Sequence, residues 1–167
     1  MWGDTTGYVW GRCGEPTPVP IQNTRERQTY YGALDLYQRD LVLRPYSRGH
    51  GESTVSFIRE LQARYPEKKL LLLWDGARHH TGRAVRRYLE EVNQGLDEKD
   101  WKVTCWLFAP HAPEQNPVED VWLRGKNYLR KHFHQNTTFQ QVKKSFDQFL
   151  KGQTFDFNKI NWYLEIP

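Results

Sequence analysis

The most informative absences in this 167-residue sequence are those of cysteine and of long apolar runs. The only two cysteines, Cys13 and Cys105, are too few for a disulfide-dense scaffold. No apolar run approaches the roughly 18 residues of a membrane-spanning helix. The first residues, MWGDTTGYVW, lack the basic start and apolar stretch of a signal peptide. These absences predict an intracellular, cytoplasmic protein with no membrane partner.

Several catalytic signatures are also missing from the sequence. We find no glycine-rich phosphate loop and no nucleophile elbow, which disfavours the common nucleotide-binding and serine-hydrolase classes. The histidines could suggest zinc, but the cysteines show no paired ligand spacing, so zinc is not expected. We interpret His132 and His134 as surface residues at the end of a helix, and Cys105 as a small buried apolar residue.

What the chain has is aromatic and basic character. Its 24 aromatic residues are too many for a disordered chain, and its length suits one domain of about 150 residues. We expect that domain over residues 1–150, with 151–167 as a tail that packs on it. The formal net charge is +4, and some of the basic residues form two clusters along the chain. The first cluster is Arg83, Arg86 and Arg87, and the second is Arg124, Lys126 and Arg130. Such clusters suit a phosphate-rich partner, although solvated helix faces would look the same.

Hydrophobic periodicity predicts a chain of strands and helices. A first strand or hairpin is expected around Tyr8–Arg12, before the proline-rich segment. The remaining predicted strands are 28–37, 40–46, 70–75 and 103–108, and the predicted helices are 52–65, 82–92, 118–133 and 138–150. Antiparallel strands followed by strand–helix alternation predict a mixed sheet with helices on its faces. Because functional groups collect at the carboxyl ends of buried strands, we expect Asp75 to lie beside the loop after Phe108.

Three carboxylates could carry chemistry or could be structural. Asp75 closes the apolar run LLLLW and either serves a reaction or caps the next helix. Glu119 and Asp120 fall in the first turn of a helix, where acids also gain from the helix dipole. Two carboxylates from separate elements suit a hard divalent cation such as Mg²⁺. A pair of such ions can promote phosphodiester cleavage, and the basic clusters would suit the phosphate backbone.

Two motifs resemble a known family. WDGARHH (74–80) and APEQNPVEDVW (112–122) resemble the catalytic core of transposases of the mariner superfamily and of related bacterial insertion sequences. These enzymes are DDE endonucleases with an RNase H-like fold. Asp75, Gly76, Ala77 and His80 match the motif of the family's second acid, and Asn116, Pro117, Val118, Glu119 and Trp122 match that of its third. GALDL (32–36) and VWGRCGEPTPV (9–19) also resemble the early strands of the family.

The resemblance implies an α/β, RNase H-like mixed five-stranded sheet flanked by helices. It implies that Asp75 and Glu119 are catalytic metal ligands for Mg²⁺ or Mn²⁺, with two ions in the complete site. His80 would orient the site or contact phosphate, and Asn116 and Pro117 would shape the turn that presents Glu119. Asp120 is then assigned to the helix surface. The implied partners are DNA, as element ends and target contacted by the two basic clusters, and a second copy in a homodimer.

Two departures from the family pattern affect the predicted activity. The gap between Asp75 and Glu119 is longer than usual, with the excess expected in VNQGLDEKD (92–100). The family's first aspartate would fall upstream of Met1, so the first strand is expected to be partly missing and the enzyme's activity is uncertain. We expect this chain to bind DNA weakly without cutting it. The alternative function is that of an inactive transposase remnant, which only binds DNA or protein.

Overall fold

The computed structural model describes residues 10–15, 26–110 and 112–164. The strands are β1 (Thr29–Leu34), β2 (Leu41–Tyr46), β3 (Leu70–Trp74) and β4 (Val103–Leu107). The helices are α1 (Gly51–Arg64), α2 (Arg78–Thr81), α3 (Arg83–Val92), α4 (Val118–Lys131), α5 (Phe139–Leu150) and α6 (Asn158–Leu164). No helix in these ranges is long and apolar enough to cross a membrane. Residues 8 and 9 of the strand predicted around Tyr8–Arg12 lie outside the described residues, and Trp10–Arg12 are not in a strand.

The first two strands form the predicted antiparallel hairpin. Their register runs from Thr29 opposite Tyr46 to Leu34 opposite Leu41. In the connecting turn, the Asp35 carboxylate accepts hydrogen bonds from the backbone N–H groups of two following residues, Tyr37 and Gln38. Aspartate commonly stabilises a turn in this way, by accepting hydrogen bonds from nearby backbone N–H groups. The prediction of a tight hairpin is confirmed.

The other two strands, β3 and β4, form a separate parallel pair. Leu70 lies opposite Val103 and Trp74 opposite Leu107. The expected single mixed sheet does not form among the described residues, where β1–β2 and β3–β4 are two sheets of two strands each. The coarser prediction, a mixed α/β domain with helices against its strands, is confirmed. Among the described residues, no ladder of backbone hydrogen bonds connects β1 to β3, so the two sheets are separate.

Three apolar clusters hold these elements together. The largest joins α4 and α5 to β2 and to the segment after α5, and it includes Val121, Phe146 and Phe155. A second cluster packs α1 and α3 against β4, with Ile58, Val85 and Val103 almost fully buried. A third cluster packs α1 against the hairpin of β1 and β2. Because α1 contributes to the second and third clusters, it bridges the two sheets.

The last segment of the chain is more structured than the sequence indicated. Phe155 and Ile160 are fully buried, and Ile160 belongs to α6, a helix that periodicity did not predict. By contrast, Trp106 in β4 and Trp162 in α6 are 55% and 59% exposed.

One close helix contact gives a stability prediction. A Cβ on Gly125 would lie 2.4 Å from Cε2 of Phe146, which is only 2% exposed. Alanine in a helix gains about 1 kcal/mol over glycine, but overpacking a core costs about 1–3 kcal/mol. We expect Gly125→Ala to lower the free energy of unfolding by up to about 2 kcal/mol in urea denaturation, because the buried ring of Phe146 occupies the space of the added Cβ.

The matched control is Gly76→Ala, where an added Cβ would meet no atom within 4 Å. This variant should retain the wild-type midpoint of denaturation. A Gly125→Ala protein more stable than wild type would mean that α4 and α5 do not approach as closely as described.

Candidate active site

The two acid motifs meet at one cavity. A cavity of about 410 Å³ opens between the hairpin, β3 and the start of α4. The predicted site residues that line it are Asp75, His80, Asn116, Pro117 and Glu119. This proximity is not evident from the sequence. The first motif spans the end of β3 and α2, whereas the second leads into α4, far along the chain. The loop after Phe108 lies beside Asp75 as expected, because the Phe108 N–H donates to the Trp74 carbonyl at 2.9 Å.

Asp75 follows β3 directly and its side chain is 61% exposed. Its Oδ1 accepts a hydrogen bond from the Ala77 N–H at 3.0 Å and lies 2.9 Å from Nδ1 of His80. The N-cap of α2 is Ala77, without any side-chain capping bond, and α3 begins after Gly82. The alternative that Asp75 caps the next helix is therefore wrong. Both contacts engage Oδ1, which leaves Oδ2 outside the hydrogen bonds found among the described residues.

His80 is held in place by stacking. Its ring lies parallel to that of Trp74, with centroids 4.9 Å apart and an interplanar angle of 6°. His79 lies edge-on to His80 at 4.2 Å and also contacts the ring of Tyr31. Burial lowers the pKa of His79 below its ordinary value, and the neighbouring His80 lowers it further. The aromatic contacts fix the imidazole of His80 against Asp75.

Glu119 lies exposed in the first turn of α4. The turn before it is fixed by Asn116, whose Oδ1 accepts from the Val118 N–H at 3.1 Å and whose carbonyl accepts from the Glu119 N–H at 3.1 Å. Pro117 is buried and is the N-cap residue of α4. These contacts direct the first turn of the helix toward the cavity.

Asp120 has a different environment from its neighbour Glu119. Its Oδ2 lies 2.8 Å from Nζ of Lys159 on α6. The side chain is therefore paired with a cation on another helix and is only 29% exposed, so it lies between α4 and α6 instead of on an open helix surface.

Sequence reasoning missed the contribution of α6 to this loop. The Tyr163 hydroxyl donates to the Gln115 carbonyl at 2.6 Å, and the Tyr163 ring packs near Phe108 at 6.1 Å. Gln115 in turn accepts from the Ala109 N–H through its side chain at 3.1 Å. Tyr163 follows Gln115 by 48 residues, so no local pattern in the sequence could have signalled the contact.

The two predicted basic clusters have different surroundings. Arg83, Arg86 and Arg87 lie exposed on α3. In the second cluster, Arg124 lies over the Phe157 ring at 4.4 Å. Lys126 is half-buried, and Arg130 donates to the Asn127 side chain at 3.2 Å. The α3 cluster is therefore the more accessible of the two.

The donor chemistry of the cavity fits a hard divalent ion. Carboxylate oxygens are the protein ligands that Mg²⁺ and Mn²⁺ prefer, and one or two of them suffice when water and substrate oxygens fill the other positions. Asp75 and Glu119 supply two such groups on one cavity. Among the described residues, however, no three His, Cys, Asp or Glu side chains come close enough together to hold a metal ion.

The two cysteines lie in different environments. Burial raises the pKa of the Cys105 thiol to about 12, whereas Cys13 is exposed. Since the thiolate is the nucleophile, we expect iodoacetamide at pH 8 to alkylate Cys13 and to leave Cys105 unmodified until the protein is denatured. Peptide mass spectrometry with and without urea would check this, and rapid native labelling of Cys105 would contradict its buried position.

Comparison with known proteins identifies the family of the chain and structures of similar fold. Residues 3–143 match the family described as DDE superfamily endonuclease, and the chain belongs to this family. The Mos1 transposase paired-end complex with left transposon end is similar in fold, with a TM-score of 0.62 and 19% identity over 94% of this chain and 45% of that chain.

Two further solved structures show the same fold. The Mos1 strand transfer complex gives a TM-score of 0.58 and 16% identity, covering 88% of this chain and 42% of that one. The catalytic domain of Mos1 mariner transposase gives a TM-score of 0.51 and 17% identity, covering 81% of this chain and 66% of that one. This chain thus spans less than half the length of the chains in the two complexes. No curated protein matches it significantly in sequence. The predicted membership of the DDE endonucleases is confirmed, and the fold is similar to that of the mariner transposase structures.

Proposed function

We propose that this chain is the catalytic domain of a DNA transposase, which cleaves phosphodiester bonds and transfers the resulting strands with divalent metal ions. The observation that carries the proposal is the convergence of Asp75 and Glu119 on one cavity. Their order and their elements match the motifs of the family to which the chain belongs.

In this proposal Asp75 and Glu119 hold the metal. Bound there, Mg²⁺ or Mn²⁺ supplies Lewis-acid activation of a nucleophilic oxygen and stabilisation of the leaving oxygen. His80 is a positioning residue, because its contact with Oδ1 of Asp75 fixes the carboxylate and directs Oδ2 to the ligand. Asn116 and Pro117 hold the turn that orients Glu119. A DNA phosphate enters beside these carboxylates, where water attacks in cleavage and a 3′-hydroxyl attacks in strand transfer.

The proposal also includes partners and architecture. DNA is the expected substrate, contacted by Arg83, Arg86 and Arg87 and by the second basic cluster. A homodimer on DNA, a cytoplasmic or nucleoid location and a complete five-stranded RNase H-like sheet belong to the same proposal. So does the division into a domain over 1–150 and a packed tail over 151–167.

Plasmid nicking tests this function. Supercoiled DNA is incubated with the protein in Mn²⁺, and the open-circle product is compared between wild type and Asp75→Asn. Wild-type nicking that falls at least about a hundredfold in Asp75→Asn supports the proposal, since the amide replaces a charged metal ligand, and it would overturn the expectation that this chain binds DNA without cutting it. Equal nicking by both proteins would show that the cavity is not the catalytic site.

A second candidate function is that of a DNA-binding module without cleavage. It is favoured by the absence of a third metal-binding side chain near Asp75 and Glu119 among the residues described. Under this alternative the protein binds DNA without nicking it, and affinity falls steeply with salt because phosphate contacts release counterions. Fluorescence anisotropy with labelled duplex at 50 and 200 mM salt, run beside the nicking assay, separates the two functions.

A further inference from the structure

The segment that leads into α4 is bonded largely to itself. This segment, here called the acid loop, comprises residues 108–110 and 112–117, between β4 and α4. Its start is fixed by the Phe108 N–H, which donates to a carbonyl of β3 at 2.9 Å. Further along, the Gln115 side chain accepts from the Ala109 N–H at 3.1 Å, a bond within the loop. Internal bonds fix the shape of a loop, whereas its position in the domain depends on contacts with other elements.

One hydrogen bond reaches the acid loop from a distant part of the chain. The Tyr163 hydroxyl on α6 donates to the Gln115 carbonyl at 2.6 Å. Burial raises the pKa of Tyr163 above its ordinary value, so the hydroxyl remains a donor at neutral pH. Asn116 follows Gln115 directly, and its carbonyl accepts from the Glu119 N–H at 3.1 Å. The hydroxyl is therefore connected to the Glu119 backbone through consecutive residues of one turn.

The helix that carries Tyr163 has its own anchors. Ile160 is fully buried, and Arg39 in the turn of the hairpin donates to the Asn161 side chain at 3.4 Å. Lys159 lies 2.8 Å from the Asp120 carboxylate, but ion pairs near the surface contribute little by themselves. Because these contacts lie outside the acid loop, α6 is a support to which the loop is attached.

We propose that Tyr163 is a positioning residue for Glu119, an inference that rests on the proposed function of Glu119 as a metal ligand. By holding the Gln115 carbonyl, the Tyr163 hydroxyl keeps the acid loop and the first turn of α4 where Glu119 lines the same cavity as Asp75. A ligand that is already held in place loses less conformational entropy when the metal binds. The two carboxylates are thus assembled before the ion arrives.

Removing only the hydroxyl tests this inference. Tyr163→Phe keeps the ring, which lies 6.1 Å from that of Phe108, and loses the bond to Gln115. Groups that support a metal ligand contribute roughly 10–100-fold to affinity, and Tyr163 acts through a loop, so isothermal titration should show Mn²⁺ binding about three- to tenfold weaker than in wild type. Unchanged affinity in Tyr163→Phe, beside a clear loss in Glu119→Gln, would overturn the inference alone and leave the proposed function standing.

Tyr88→Phe is the matched control. Tyr88 is buried on α3, its hydroxyl contacts the Gln62 side chain on α1, and neither residue lines the cavity. This variant should bind Mn²⁺ within about twofold of wild type, because distant and independent sites do not couple. Equal weakening in Tyr88→Phe and Tyr163→Phe would contradict a specific role of Tyr163.

A double-mutant cycle separates positioning from general structural support. If Tyr163 acts through the Glu119 carboxylate, Tyr163→Phe should lower Mn²⁺ affinity by less than about twofold once Glu119 is already glutamine. A loss as large as in the wild-type background would overturn the proposal, because the hydroxyl would then support the site by another route.

Amide hydrogen exchange in EDTA tests the position of the loop without metal. We expect the Gln115 and Glu119 amides to exchange at least about threefold faster in Tyr163→Phe, because the loop has lost its bond to α6. The Val142 N–H in α5, which donates to the Thr138 carbonyl at 3.1 Å, is the internal reference. Equal exchange in variant and wild type would overturn the proposal. A wild-type protein that binds no Mn²⁺ would instead refute the proposed function, while faster exchange would still show that Tyr163 holds the loop.

Discussion

Replacing Phe155 with alanine is expected to lower the free energy of unfolding by about 3–5 kcal/mol. The Phe155 side chain is fully buried, in one cluster with Val121, Phe146 and Leu150. Its backbone N–H also donates to the Arg39 carbonyl at 2.7 Å, which ties the segment to the turn of the hairpin. Truncation would remove apolar contact and leave a cavity that α4 and α5 cannot close. A loss of this size is a large part of the 5–15 kcal/mol that stabilises a typical domain.

The control for this prediction is Trp162→Ala in α6. Trp162 is an even larger aromatic residue, but it is 59% exposed, so its loss should change stability by less than about 1 kcal/mol. Urea denaturation followed by circular dichroism measures both variants. If Phe155→Ala were as stable as wild type, residues 151–164 would not belong to the core.

Replacing Glu119 with glutamine is expected to weaken Mn²⁺ binding at least about tenfold, while Asp120→Asn changes it less than about twofold. Even residues that only support a metal ligand typically contribute 10–100-fold to affinity, so loss of a ligand carboxylate should cost no less. The two acids are adjacent and both lie in the first turn of α4. Glu119 faces the cavity, whereas Asp120 is paired with Lys159.

Isothermal titration with Mn²⁺ distinguishes the two side chains. Each substitution removes one negative charge from the same helix turn, so a long-range electrostatic effect would weaken both variants alike. Equal losses in Glu119→Gln and Asp120→Asn would therefore contradict the assignment of Glu119 as the ligand. The Asp120→Asn protein should instead show a slightly lower melting temperature, because it loses the ion pair with Lys159.

Much of the local structure could be predicted because it depends on local pattern. The period of apolar residues predicted α1 over 52–65, and the helix runs from Gly51 to Arg64. The run LLLLW predicted β3, which covers those five residues. The N-cap of α1 was not predicted: the His50 side chain accepts from the Ser53 N–H. Histidine is not among the preferred capping residues, so composition gave no signal for it.

The site was predictable in part. Motif spacing placed Asp75 after a buried strand and Glu119 in a helix turn, and both do line one cavity. The contact of Tyr163 with the Gln115 carbonyl was not predictable. It depends on α6, a short helix whose position is set by burial of Ile160 rather than by its own periodicity.

The sequence by itself determined the order of β1–β4, α1, α3, α4 and α5, the two acid motifs and the family, because these depend on residue types at short and fixed separations. Only the tertiary structure decided that Asp75 bonds to His80 instead of capping a helix, that Asp120 pairs with Lys159, and that the strands of the described residues form two separate sheets. Such features depend on contacts between residues far apart in the chain and on how strand edges meet in space. Neither hydrophobic period nor motif spacing encodes that information.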